Sequence, residues 1–231
     1  MLTLRPAPER GTADFGDIRS RHSFSFGHYH DPAHMGVSHL RVLNDDRVAP
    51  GGGFPPHGHR DMEIISYVTS GVMEHADSLG NRFRIEAGQF QSMSAGSGVQ
   101  HSEFNASRDA ELAFLQIWIV PRARGLAPGY GAPMRPAEAP GEWVPVAAPD
   151  VDDALPLRQD ARLSVGRFSG GERLTTRLAA GRLAYLHVVH GDVRVDGTPM
   201  EQGDGATVSG VRQFELEARE PAEVLLFDLA A

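Results

Sequence analysis

The sequence predicts an all-β protein made of two small antiparallel barrels in tandem. Three observations lead there. Apolar residues alternate over short stretches, and no long 3.6-residue period emerges. Turn residues punctuate those stretches at short intervals, as in Asp77-Ser78-Leu79-Gly80-Asn81 and Gly203-Asp204-Gly205. A segment rich in proline, 121–150, separates two halves of similar pattern.

Residues 1–50 read as short strands and loops, His22–Pro32 and His39–Gly51 among them, broken by Gly and Pro. Residues 54–105 read as a meander. Met62–Thr69 is a strand of β-formers, Val72–Ala76 opens a hairpin, and Arg82–Glu86 alternates with Phe83 and Ile85 facing inward. Leu112–Val120 is a buried strand interrupted only by Gln116. Residues 121–150 hold seven of the sixteen prolines and four glycines, the composition of a stiff linker. Short β segments then resume at Arg162–Phe168, Leu174–Leu178, Leu183–Val189, Val193–Val195 and Val224–Leu229. The expected domains are 1–130, a linker over 131–150, and 151–231.

Composition removes several function classes. The chain has no cysteine, so disulfides, thiolate ligands and a Cys nucleophile are out. Lack of cysteine and of an apolar leader at the N-terminus fits a reducing compartment, and the expectation is cytoplasmic. A formal net charge of −8 with no Lys/Arg cluster argues against direct nucleic-acid contact. No apolar run approaches the roughly 18–20 residues of a membrane helix. Neither a G-x-S-x-G elbow nor a Lys-Ser/Thr after Gly51-Gly52-Gly53 is present, so a serine hydrolase and a phosphate loop are poor fits.

The chemistry concentrates in residues 51–105. His57 and His59 lie two apart, and so do His101 and Glu103. On a strand, residues two apart share a face, so each pair projects together. Two such strands lining one barrel bring three imidazoles and a carboxylate to one point. That donor set suits a divalent transition metal and leaves one or two positions open, as catalysis requires. Glu63 is the rival carboxylate, six residues from His57 and of the same parity. Other histidines read differently. His28, His30, His34 and His39 are expected to be polar loop residues, and His187 and His190, of unlike parity, to be core or edge histidines without a metal role.

Gly51, His57, His59, Glu63 and Gly71, followed by Ser94-Ala95-Gly96, His101 and Asn105, resemble the two motifs of the cupin superfamily. The stretches GGGFPPHGHRDMEIISYV, MSAGSGVQHSEFN and HSFSFGHYHDPAHMGVSHLRVLNDDRV resemble the pirin branch of that superfamily, and within it the bacterial quercetinase-like members. The likeness is strongest over the first 120 residues. It implies a bicupin with the metal in the first domain only. It also implies that His57, His59, His101 and Glu103 are the ligands, with Glu103 preferred over Glu63. The implied cofactor is one divalent ion, iron(II) first, with zinc, nickel, cobalt, manganese or copper as alternatives. The implied activity is dioxygen-dependent cleavage of quercetin-like flavonols with release of carbon monoxide, with Glu103 also serving as the base for the flavonol hydroxyl. The alternative is a non-enzymatic, metal-binding member that acts as a protein-interaction or transcriptional regulator. Gly58 stands between the paired histidines where such proteins commonly carry proline.

Overall fold

The computed structural model describes all 231 residues, and they form strands and turns with a single short 3-10 turn at Ala7–Glu9. No helix is long and apolar enough to cross a membrane. The chain divides into two compact units, Gly11–Arg135 with Leu155–Gln159, and Met1–Arg10 with Pro136–Ala154 and Asp160–Ala231.

The first unit is a pair of antiparallel sheets. The larger runs in the order Gly129–Met134, Phe90–Ser94, Glu63–Ser70, Leu112–Ile119, Leu40–Val48, Ile18–His22, Gly11–Asp14. The smaller runs Gly53–His59, Val99–Asn105, Val72–Asp77, Arg82–Glu86. Ile18, Val48, Val68, Leu112 and Phe114 of the larger sheet pack on Met73 and Ile85 of the smaller, a core that holds the two sheets face to face. The expected barrel is thus an open two-sheet jelly roll. One edge of the small sheet is closed to further pairing by Pro55 and Pro56, which offer no N–H to a ladder.

The second unit repeats the plan. One sheet orders Leu2–Arg5, Gly205–Val208, Arg182–His190, Ala222–Ala230, Ala161–Phe168, Trp143–Ala148, and the other orders Arg173–Arg177, Gln213–Ala218, Val193–Val195, Thr198–Met200. Its core includes Leu186, Val188, Val195, Phe214, Leu216 and Val224.

The units differ from the expected division at 1–130, 131–150 and 151–231 for reasons of strand pairing. Leu2–Arg5 pairs with Gly205–Val208, so the N-terminus belongs to the C-terminal unit. Within the expected linker, Trp143–Ala148 pairs with Ala161–Phe168 and Gly129–Met134 with Phe90–Ser94. Proline content marked a loop, but strands tolerate proline at an edge, as in Gly129–Met134, or at a register shift, as at Pro145. Phe83 also departs from its inward assignment. It sits on the edge strand, is partly exposed, and stacks on Tyr130 at 5.1 Å between ring centres.

His28 and His30 are exposed in a turn, and His34 pairs with Asp31 at 2.7 Å between Nδ1 and Oδ2. His190 lies exposed near a strand end, whereas His187 is fully buried. Burial holds the His187 imidazole neutral, with its pKa well below 6.5, and the nearby Arg10 charge adds to this. In the unfolded chain it titrates near 6.5. Below that pH the unfolded state takes up a proton that the folded state refuses. Stability therefore falls with acidification by up to about 1.4 kcal/mol per pH unit from this one group, and is unaffected above neutrality. Urea unfolding at pH 7.5 and pH 5 should show a smaller acid loss for His187→Gln than for the native sequence.

Candidate metal centre

The central strand Val99–Asn105 places the donors. On one side His101 lies opposite His57, and Val99 opposite His59. On the other side His101 lies opposite Asp77, and Glu103 opposite His75. The register against Gly53–His59 slips between His101 and Glu103, so Glu103 faces Phe54. The slip is a bulge that absorbs Pro55-Pro56. Gly53 makes the close crossing there. Its φ is +155°, and a Cβ would lie 2.6 Å from the Cα of Phe104. Gly96, at φ +46°, shapes the turn that delivers His101, and a Cβ there would collide with the Leu126 backbone.

The rings of His57, His59 and His101 converge. Their centroids lie 4.7, 4.5 and 4.8 Å apart. One nitrogen of each falls within 4.8 Å of the others. A second group within the same distance is His75, His101 and Glu103. The four residues expected as one set are therefore spread over two overlapping triads that share His101, and His75 completes the second. His75 joins them although nothing in the sequence reading singled it out. Its signal was the i,i+2 pair His75 and Asp77 on a strand whose Met73 also faces inward.

His101 is 3% exposed, and neither of its ring nitrogens has a hydrogen-bond partner. Buried polar atoms are ordinarily satisfied, so two orphaned imidazole nitrogens fit a metal ligand better than a packed core histidine. Burial lowers its pKa to about 3, helped by the charges of His57 and His75 and opposed by Asp77. Burial likewise lowers His59 to about 4, helped by His101 and His57 and opposed by Glu103. Both rings are neutral at pH 7 and hold a lone pair that can coordinate. His57 donates Nδ1–H to the Pro55 carbonyl at 2.8 Å, which fixes the tautomer and leaves Nε2 free. Trp118 meets the His59 ring edge-on at 4.9 Å.

Glu103 is buried and held by two donors. Ser66 Oγ lies 3.0 Å from Oε1, and Gln116 Nε2 donates to Oε2 at 2.7 Å. Gln116, the one polar residue of its strand, is thus a support for the carboxylate. Glu63 is placed elsewhere. It accepts from Ser94 Oγ at 2.7 Å and from the Arg158 backbone N–H at 3.3 Å. Burial raises its pKa against the Ser94 bond. Neither of these hydrogen bonds comes from a histidine.

His75 Nε2 lies 3.4 Å from Asp77 Oδ2, with both side chains inaccessible. Burial acts to raise the Asp77 pKa, but hydrogen bonds from Asn81, His75 and Leu79 outweigh it and leave the pKa low.

Beside His57, His59 and Glu103 opens a cavity of about 180 Å³. Phe15, Phe26, Phe54 and Trp118 give it aromatic walls, and Ser20, Asn44 and Gln116 are among its polar lining.

Two jelly-roll units of this topology, with a His-x-His strand beside a His-x-Glu strand in the first, define a bicupin with a candidate metal centre. Comparison with known proteins narrows the class. A family model for pirin matches residues 4–119, and one for the quercetinase C-terminal cupin domain matches residues 145–229. The chain belongs to the pirin family. It is 42% identical to quercetin 2,3-dioxygenase of Escherichia coli K12 over 99% of both chains. It is also 42% identical to a pirin-like protein of Caulobacter vibrioides over the full length of each. Among solved structures it is similar to the bacterial pirin YhhW of Escherichia coli in complex with nickel(II). The TM-score is 0.95 at 42% identity, covering 100% of this chain and 99% of that one.

Proposed function

We propose that this protein is a metal-dependent dioxygenase that cleaves quercetin-like flavonols. The observation that carries the reading is the convergence of three histidine nitrogens, with His101 buried and otherwise unpartnered, next to an aromatic-walled cavity that His57 and His59 line. The full-length likeness to a protein named quercetin 2,3-dioxygenase supports the substrate class, and the likeness to a nickel-bound pirin supports a divalent ion.

In this reading His57, His59, His101 and Glu103 hold the metal, with iron(II) as first choice. A divalent ion there would lower the pKa of a phenolic or enolic hydroxyl and bring it beside dioxygen. The residues supply the rest. His57 presents Nε2 because Pro55 fixes its other nitrogen. Glu103 takes the flavonol hydroxyl proton, and Ser66 and Gln116 keep its carboxylate aimed. Phe26, Phe54 and Trp118 pack on the flat substrate and exclude water. At about 180 Å³ the cavity is smaller than the roughly 300 Å³ lower bound of usual ligand pockets. One ring of a flavonol enters, and the remainder lies at the mouth. In the overall reaction both oxygen atoms of O2 enter products, one ring carbon leaves as carbon monoxide, and the remaining carbons become an ester acid.

The test is loss of quercetin absorbance in air with the protein loaded separately with iron(II), nickel, cobalt, manganese, copper or zinc. At least one loaded form should turn over quercetin, and the metal-free protein should not.

A further inference from the structure

A row of polar side chains crosses the larger sheet of the first unit. In register, His22 lies opposite Asn44, Asn44 opposite Gln116, Gln116 opposite Ser66, and Ser66 opposite Gln91. Opposed residues on neighbouring strands project to one face, so these five form a single line under the candidate metal centre. All are buried. A continuous buried polar line through a β core is costly unless it is satisfied.

One half of the line is satisfied. Gln116 and Ser66 hold Glu103, Gln91 Nε2 donates to Ser66 Oγ at 3.3 Å, and the Tyr130 hydroxyl donates to Gln91 Oε1. Asn44, in the other half, is not satisfied. Asn44 is 2% exposed, and its Oδ1 has no hydrogen-bond partner. Ser20, one step along the neighbouring strand from His22, is 6% exposed, and its Oγ has none either. The Trp118 indole N–H is a third orphan. All three residues line the aromatic-walled cavity beside His57 and His59. An acceptor, a hydroxyl and a donor without partners, on one small cavity, are groups that await a ligand's hydrogen bonds.

We infer that Asn44 and Ser20, with the Trp118 indole N–H, form a specificity shelf that reads the ring hydroxyls of a polyhydroxylated aromatic ligand. The inference rests on the flavonol reading and adds the residues that choose among flavonols. The Asn44 amide oxygen accepts from a phenolic O–H, the Ser20 hydroxyl donates or accepts, and the indole N–H donates to a phenolic or carbonyl oxygen. A ligand lacking those hydroxyls would leave the shelf buried and unpaired, which is the most effective way for a site to reject an analogue.

The test is equilibrium binding to the nickel-loaded protein without oxygen, followed by tryptophan fluorescence. The ligands are quercetin and 3-hydroxyflavone, which keeps the flavonol core without the other hydroxyls. The native protein should prefer quercetin by at least about tenfold, the equivalent of about 1.4 kcal/mol. Asn44→Leu and Ser20→Ala should each lose most of that preference, while 3-hydroxyflavone affinity stays within about twofold. Nickel content should hold, and the Tm of Asn44→Leu should equal or exceed the native value, because an amide whose buried oxygen is unpaired is replaced by an apolar group of similar shape. If Asn44→Leu fails to fold, Ser20→Ala alone decides. Equal native affinity for the two flavonols, or full preference in the folded variants, overturns the shelf and leaves the flavonol reading standing. Binding of neither flavonol overturns both. Selective binding without oxygen-dependent turnover supports the shelf and overturns only the dioxygenase assignment.

Discussion

His101→Ala is expected to abolish both metal retention and flavonol turnover while leaving a folded protein. His101 is common to both donor triads, so no set of three within 4.8 Å survives its loss. Loss of a partner that merely orients a ligand typically costs about 10–100-fold in metal affinity. Removing the shared ligand itself should cost more than about 100-fold. The metal-free variant should differ little in stability. The substitution leaves a cavity, but it also removes two buried nitrogens that have no hydrogen bond. The discriminating readout is thermal unfolding with and without nickel, alongside metal content. Metal at about 100 times its Kd adds about 2.7 kcal/mol to a protein that binds it. The native chain should show that gain and His101→Ala should not. A variant that still gains stability from nickel would remove His101 from the ligand set.

The second large effect separates two carboxylates. Glu103→Gln should lose most bound metal and lower turnover by at least about 100-fold, within the range that a positioned base contributes. The amide keeps the size of the side chain. It removes the negative charge, however, and one of the two acceptors now engaged by Ser66 and Gln116. Glu63→Gln should keep full metal. Its partners are Ser94 and the Arg158 backbone, and burial already favours its uncharged form. The reverse pattern, with metal kept in Glu103→Gln and lost in Glu63→Gln, would make Glu63 the ligand. Metal content by elemental analysis reads this directly.

Much of this site was legible in the sequence because strand parity is rigid. Residues two apart share a face, and His57 with His59 and His101 with Glu103 needed nothing more than two neighbouring strands. The same rule located Glu63–Ser70, Leu112–Ile119 and Arg182–His190 within a residue or so of their observed ends. What the sequence hid depends on register. Glu63 has the parity of His57, yet its strand lies in the other sheet, where Ser94 and Ile119 flank it. His75 reaches the cluster only because its strand pairs with Val99–Asn105 in a register that sets it opposite Glu103, two residues from His101. The line from His22 to Gln91 draws on five strands spread over some 95 residues, and no local pattern announces it. The domain division was hidden in the same way. Leu2–Arg5 finds its partner strand some two hundred residues downstream.

The most direct measurement of the central claim is simultaneous oxygen uptake and carbon monoxide release from quercetin, using the iron(II)-loaded protein and then the nickel-loaded form, with His101→Ala beside each. One carbon monoxide released per O2 consumed, dependent on metal and absent in the variant, is the predicted result. Stoichiometric metal binding with neither gas exchanged under any loading would contradict the dioxygenase assignment and move the function to metal-dependent binding of a protein partner.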